Sequence, residues 1–303
     1  MVYGAGAGLV GAIGAVSSAS AMKVGVVGAG LMGAEIALVF ALSGFDVILN
    51  DVDKATLRRA RDRLAAVLDK GVSRGFYTPE QREQSLARIA ATTDFTSFAG
   101  CDLVTEAVFE KLETKQTVLK TLDAICHPAC VLASNTSTLP ISTLGAVLAP
   151  GRRATFLGTH YFSPVSRMQL VEVIPAFETT TETTSQVVEV LLKVGKTPVL
   201  VKDVAGFAVN RLLHAMLIEA IRLVEEGVAS PKDIDVACRL GLGHPIGPFA
   251  LMDVVTSGLC LQVQEVLQDA YGERFRPPAL LKQRVAAGYA GGHGRAGWIA
   301  QGD

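Results

Sequence analysis

Two kinds of apolar pattern follow one another along this chain, short continuous runs first and amphipathic stripes later. The first run, Lys23-Val-Gly-Val-Val-Gly28, suits a strand buried on both faces of a parallel sheet. The glycine turn Gly28-Ala-Gly30-Leu31-Met32-Gly33 follows it, then a helix over Ala34–Leu42 and a second strand over Asp46–Asn50. A basic amphipathic stretch from Lys54 to Arg74 and a helix opened by Thr78-Pro79-Glu80 come before the next strand. Strands are predicted at Ile89–Thr93, Asp102–Glu106 and Val131–Asn135, with a helix over Leu112–Ile125 before the last of them. Thr155–His160 and Gln169–Ile174 read as two more strands joined by the turn at Ser163-Pro164, and Pro198–Lys202 as a final one.

After Asp203 the strand signal stops. Helices are predicted at Asn210–Glu226, at Pro231–Leu240 with Ser230 as cap, and at Pro248–Asp253, Gly258–Tyr271 and Pro277–Gly288. The pattern therefore predicts an α/β fold: a Rossmann-type, doubly wound parallel sheet over 23–205 and a second, all-α domain over 206–303. Residues 1–22 are apolar, rich in Gly, Ala and Ser, and carry no charge. They lack the basic start of a secretory signal and the arginines of a mitochondrial one, and hold many glycines for a membrane span. They read as a poorly ordered leader or the product of an upstream start codon.

Composition narrows the function. A formal net charge of −1 offers no field for nucleic acid or a membrane surface, and half the residues are hydrophobic with only 6% aromatic, as expected of an enzyme acting on a small molecule. Five cysteines, an odd number in a chain too large to need staples, favour a reducing, cytoplasmic compartment. Cys126-His127-x-x-Cys130 lacks the further ligands that would complete a zinc tetrahedron, so no metal is expected.

A glycine turn gains meaning from its context. This one follows a buried strand, opens a helix, and is followed 23 residues after Gly28 by Asp51 at the end of the second strand. Gly28 and Gly30 let the backbone turn tightly and approach a pyrophosphate, which would rest at the positive end of the helix dipole, and Gly33 lets helix and strand pack closely. Asp51 would accept hydrogen bonds from the adenine ribose and repel a 2'-phosphate, so NAD is expected rather than NADP. Asp53 lies past the strand end and reads as the cap of the next helix.

Removing a hydride from a secondary alcohol requires a base for the hydroxyl proton, a group to orient that base, and donors for the developing oxyanion. His160 ends a predicted strand. Glu172 lies inside the apolar run Leu-Val-Glu-Val-Ile, where a carboxylate is costly without a partner, and a hairpin centred on Pro164 would bring it opposite His160. Read without that hairpin, His160 is a satisfied core histidine and Glu172 an edge residue. Asn135 and Ser137 could merely shape the turn after a strand, Asn210 could cap the helix beginning at Arg211, and His127 and His214 look structural or exposed.

Several segments together resemble 3-hydroxyacyl-CoA dehydrogenases, in that family's order: the GAGLMG turn, Glu106-Ala-Val-Phe-Glu110-Lys-Leu-Glu-Thr-Lys115, Ser134-Asn135-Thr136-Ser137, His160-Tyr-Phe-Ser-Pro164 with Leu170-Val-Glu172, Ala205-Gly-Phe-Ala-Val-Asn210-Arg211, and Gly247-Pro-Phe-Ala-Leu-Met-Asp253. The resemblance covers about residues 23 to 298 and points to the short-chain, 3-hydroxybutyryl-CoA branch. It implies reversible, NAD-dependent oxidation of an (S)-3-hydroxyacyl-CoA to the 3-oxo thioester, as in fatty acid β-oxidation or butanoate-type metabolism. By the same resemblance His160 is the general base and Glu172 its orienting partner. Ser137 and Asn210 would hydrogen-bond the substrate, with Ser137, Glu110 and Lys115 near the cofactor's ribose and nicotinamide. The CoA arm would lie near the helices carrying Lys54, Arg58, Arg59, Arg61, Arg63, Lys70 and Arg74, and Arg74 is the chosen phosphate contact. Each of these cations also reads as part of a solvated helix face. A homodimer formed through the helical domain is implied too, with Phe249-Ala-Leu-Met as its apolar segment.

The chain departs from the family at two places. Ser163 stands where many members have asparagine. Near the end, Gly291-Gly-His293-Gly-Arg295-Ala-Gly297-Trp298 replaces a segment whose lysine reaches the cofactor, leaving His293 or Arg295 as substitutes. Two other readings share the motifs: a dehydrogenase of gulonate or carnitine type without CoA, and a non-catalytic NAD-binding protein like a lens crystallin. Turnover of acyl-CoA against free acids separates the first, and the buried His160/Glu172 pair argues against the second.

Overall fold

The computed structural model describes residues 22–292 and 294–299, so the expected leader, Met22 apart, and His293 lie outside the described residues. The chain runs β1 (Lys23–Val27), α1 (Leu31–Leu42), β2 (Asp46–Asn50), α2 (Lys54–Ser73), α3 (Pro79–Ala87), β3 (Ile89–Thr92), β4 (Leu103–Glu106), α4 (Leu112–Ile125) and β5 (Val131–Ser134). It continues through α5 (Ile141–Gly145), α6 (Pro150–Arg153), β6 (Phe156–Tyr161), β7 (Leu170–Pro175), α7 (Thr181–Lys193) and β8 (Thr197–Leu200). Helices α8 (Val209–Glu225), α9 (Pro231–Gly241), α10 (Pro248–Val255), α11 (Ser257–Tyr271) and α12 (Ala279–Ala286) complete it. Local chemistry sets many of these boundaries. Asp53 accepts the Ala55 and Thr56 amides at the start of α2, Thr78 and Gln81 form a reciprocal capping box at α3, and Ser230 accepts from Asp233 at α9.

The sheet has the order β3-β2-β1-β4-β5-β6-β7-β8. Strands β1 to β6 are mutually parallel, as the continuous apolar runs predict. β7 runs antiparallel to β6, and β8 follows β7, so the sheet is mixed at one end. The cause is the short link between Tyr161 and Leu170, which allows a reversal but has no room for a crossover helix. The order reverses between β1 and β4, which opens a crevice at the carboxyl ends of the parallel strands. Two apolar layers cover the sheet, one led by Ile36, Phe40, Leu64 and Leu68, the other by Phe98, Leu119, Leu122 and Phe156.

The helical part has its own core of Leu217, Ile221, Phe249, Met252, Cys260 and Trp298. Phe249 and Met252 are completely buried there, so Phe249-Ala-Leu-Met is core rather than the contact surface that its hydrophobicity suggests. Exposed apolar side chains on these helices include instead Leu212, Val236, Leu240, Val254 and Leu259. No single helix among the described residues is long and apolar enough to cross a membrane. His214 is buried in α8, and burial lowers its pKa from 6.5 to about 4. A histidine held neutral in the fold but free to charge when unfolded stabilises fully above its unfolded pKa. Thermal stability should therefore fall as pH is lowered from 6.5 towards 4. In His214→Leu that slope should shrink; a melting-temperature series across this range that is equally steep in both proteins would contradict the assignment.

Candidate active site

The glycine turn sits at the carboxyl end of β1. Gly28 has φ +99°, and a Cβ there would come within 2.7 Å of the Ala107 carbonyl oxygen. A Cβ on Gly33 would lie 1.9 Å from the Gly28 oxygen, so helix and strand can approach this closely only with glycine. At Gly30 a Cβ would meet nothing within 4 Å, which leaves room for a ligand against the backbone. Gly30 also precedes the first residue of α1 without offering a side chain to cap it, so the amides of the first turn face that space. Leu31 and Met32 open this helix, and Leu31 is exposed beside it. Asp51, the residue after β2, accepts the Ala29 amide through Oδ2 at 2.8 Å, and Arg63 donates to the Ala29 carbonyl at 3.0 Å. A cradle of amides open to solvent, followed by a carboxylate, fits a dinucleotide such as NAD.

His160 and Glu172 meet across the β6–β7 ladder, in direct register. Imidazole Nδ1 lies 2.8 Å from Glu172 Oε2, both side chains buried. The ring stands between Phe162, centroid distance 4.5 Å, and Phe207 at 5.7 Å. Glu172 Oε1 accepts the main-chain amides of Ala208 at 3.0 Å and Val209 at 2.9 Å, at the start of α8. Burial by itself would raise this carboxyl, but the hydrogen bonds from His160, Val209 and Ala208 outweigh it and hold Glu172 below the ordinary carboxylate value. Just before these amides the backbone is left-handed at Gly206 (φ +70°) and at Phe207 (φ +46°), a conformation that is costly for a phenylalanine.

Asn210 does not cap a helix. α8 begins at Val209 with Ala208 in the cap position, because Glu172 already satisfies the leading amides. The Asn210 amide instead donates to the Ser137 carbonyl at 3.3 Å, which brings these two residues together. Asn135, one of the turn residues after β5, accepts the Tyr161 amide through Oδ1 at 3.0 Å and so ties that turn to the strand carrying His160.

Glu110 and Lys115 also converge here. Glu110 Oε1 accepts from Thr136 Oγ1 at 2.6 Å, the Ser137 amide at 2.8 Å and the Thr138 amide at 2.9 Å. Lys115 is almost entirely buried, with its ammonium 2.9 Å from Glu106 and 3.2 Å from Glu110. Burial again opposes ionisation of Glu110, and the Lys115 charge with these donors prevails to lower its pKa. Glu106, at the end of β4, takes no role from the sequence motifs. The signal was available, since it is a carboxylate ending an apolar strand, the same argument that singles out Glu172.

Arg74 stands apart from the imidazole, as the residue that closes α2. With Lys70, Tyr77, Pro164 and Arg167 it lines a cleft of about 690 Å³. The wall formed by 164–168 is fixed from within by two buried residues, Glu35 accepting the Ser166 amide at 3.1 Å and Lys196 donating to the Val165 and Met168 carbonyls. Arg59 is drawn to Asp53, while Arg58 and Arg61 lie exposed on α2. Arg295 lies in the terminal loop that folds back on Asp253, whose carboxylate accepts the Trp298 and Ile299 amides. Among the described residues no three His, Cys, Asp or Glu side chains are grouped to hold a metal ion.

Taking a hydroxyl proton at His160 is useful only if a hydride can leave the carbon that bears that oxygen, and the glycine turn opens on the same sheet edge. The class so defined is that of the NAD-dependent dehydrogenases. Residues 23–204 match the family model described as the NAD binding domain of 3-hydroxyacyl-CoA dehydrogenase, and residues 206–301 match its C-terminal domain. The chain belongs to the 3-hydroxyacyl-CoA dehydrogenase family. It is 45% identical over 271 residues to a probable 3-hydroxybutyryl-CoA dehydrogenase of Deinococcus radiodurans, covering 89% of this chain and 96% of that one. Among solved structures, the (S)-3-hydroxybutyryl-CoA dehydrogenase PaaH1 from Ralstonia eutropha superposes with a TM-score of 0.88 at 37% identity, over 93% of this chain and all of that one. FadB2 of M. tuberculosis gives 0.89 at 35% identity, over 93% and 99% of the two chains.

Proposed function

We propose that the protein oxidises short-chain (S)-3-hydroxyacyl-CoA thioesters to 3-oxoacyl-CoA, reversibly, with NAD. The observation that carries this reading is the buried 2.8 Å contact between His160 and Glu172 at the edge where the glycine turn opens. Its relatives' names, 3-hydroxybutyryl-CoA dehydrogenases, support the choice of substrate. NAD supplies the hydride acceptor. With Nδ1–H donated to Glu172, the other ring nitrogen of His160 is free to take the 3-hydroxyl proton, and Glu172 offsets the charge of the imidazolium that forms. In the reverse direction the same nitrogen returns the proton to the carbonyl oxygen. Ser137 and Asn210 orient the substrate oxygens, and the Lys70 and Arg74 cations favour the CoA phosphates in the cleft they line.

Residues 23–205 act as the nucleotide domain and 206–303 as the helical domain. The exposed Leu212, Leu240, Val254 and Leu259 support a homodimer formed through the latter. The cysteines, all unpaired, support a cytoplasmic setting. Steady-state oxidation of a series of 3-hydroxyacyl-CoA thioesters with NAD, beside the free 3-hydroxy acids, gulonate and carnitine, tests the reading. Turnover confined to the thioesters is expected; oxidation of a free acid with none of the thioesters would overturn it. Asp51 carries a separate expectation. Asp51→Asn should narrow the preference for NAD over NADP by about tenfold, read as the ratio of the two kcat/KM values.

A further inference from the structure

Glu106 takes no part in the proton or hydride transfer, yet it is completely buried at the carboxyl end of β4. Its Oε1 accepts the Val108 amide at 2.7 Å and the Lys115 ammonium at 2.9 Å, and its Oε2 accepts the Ser134 hydroxyl at 2.7 Å. Lys115 is 1% exposed. An ammonium has three N–H donors, and here three acceptors surround it: Glu106, the Val108 carbonyl at 3.2 Å, and Glu110 Oε2 at 3.2 Å. The second Glu110 oxygen grips the turn after β5 through Thr136, Ser137 and Thr138. Acid, ammonium and acid thus form a chain from the floor of the sheet to the main chain of Ser137, whose carbonyl receives Asn210 from the helical part. Glu106 and Lys115 at this depth are costly to desolvate, with Glu110 partly exposed above them, and an apolar pair of the same size would fill the buried space without that cost. What the charged chain adds is a fixed height and direction for the turn.

We infer that Glu106 is a positioning residue for catalysis, acting through Lys115 and Glu110 to hold the Ser137 turn against the reacting substrate. Lys115 in this role works by steering Glu110: buried, with its three donors directed at Glu106, Val108 and Glu110, it holds the carboxylate rather than reaching the cofactor as the family resemblance implies. The inference rests on Ser137 serving the substrate, as proposed above.

Glu106→Gln keeps the side chain's size and one acceptor oxygen for the Val108 amide and Lys115, turns the position facing Ser134 into an NH2 that donates to that hydroxyl, and removes the negative charge that faces Lys115. With 3-hydroxybutyryl-CoA and saturating NAD, kcat is expected to fall about tenfold or more, since small misplacements of orienting groups carry losses of this size. The NADH dissociation constant, from fluorescence titration, should stay within about threefold. If Glu106 acts through Lys115, the double variant Glu106→Gln/Lys115→Met should be no slower than Lys115→Met alone. Losses that multiply, or wild-type kcat in Glu106→Gln, overturn the inference. Glu110→Gln probes the same chain at a partly exposed carboxylate, where an amide is easier to accommodate than at fully buried Glu106. It should reproduce the kcat loss, and a change confined to NADH affinity would overturn the relay even if Glu106→Gln does not fold. Ser137→Ala separates the two levels. Normal kcat in that variant removes the substrate role of Ser137 and the relay with it, whereas impaired Ser137→Ala beside an intact Glu106→Gln removes the relay alone.

Discussion

Replacing His160 with glutamine is expected to lower kcat for 3-hydroxybutyryl-CoA oxidation by about three orders of magnitude, the range that a positioned general base contributes. NADH affinity should stay within about a factor of two, because the glycine turn between β1 and α1 and Asp51 after β2 share no hydrogen bond with the imidazole. Glutamine is the informative choice. It can still hydrogen-bond Glu172 and fill space between Phe162 and Phe207, so the loss isolates proton transfer from packing. Unchanged kcat in this variant would remove His160 as the base.

Glu172→Gln should cost about a hundredfold in kcat with little change in NADH binding, because a neutral amide cannot offset the charge on the imidazolium. Here a second variant separates two jobs. Glutamine retains an acceptor for the Ala208 and Val209 amides, whereas Glu172→Ala leaves both without a partner, at about 1–3 kcal/mol for each group that stays buried. The alanine variant should therefore melt several degrees below the glutamine variant at pH 7. Equal melting temperatures would mean that the start of α8 is held by something else. The pH dependence follows from the lowered carboxyl. A group whose folded pKa is depressed gives its full stabilisation above its ordinary value of 4.5 and loses it as pH falls through the folded value. Wild type should accordingly lose stability below pH 4.5 more steeply than Glu172→Gln, in the same series of melts.

How much of this was legible in the sequence depended on whether the cause was local. The hairpin was legible, because a carboxylate inside an apolar strand demands a partner and Ser163-Pro164 supplies the reversal; His160 and Glu172 do face each other. So were the caps at Asp53, Thr78 and Ser230, each readable from neighbouring residues. Helix α7 has no counterpart among the elements predicted from the sequence although it buries Thr183, Val187, Val190 and Leu191 at helical spacing; its opening, Thr181-Glu-Thr-Thr, holds residues of low helix propensity. The short helices α5 and α6 have too few residues for a periodic signal. For Phe249-Ala-Leu-Met the limit is different: hydrophobicity alone does not say whether a segment faces its own core, as this one does, or another chain. The hold of Glu172 on α8 joins residues 36 and 37 positions apart, and no pattern within either segment announces it.

That hold bears on how the two halves can be recombined. Because one oxygen of Glu172 orients the imidazole and the other grips the first amides of α8, exchanging the helical half for a relative's would also exchange part of what keeps the base in place. A chimera joined at Val204 would need a graft whose opening turn reproduces the left-handed Gly206 and Phe207 backbone. The helical half and the setting of the base are thus inherited together in this chain, and the useful unit of transplantation begins with the β6–β7 hairpin rather than at the last strand.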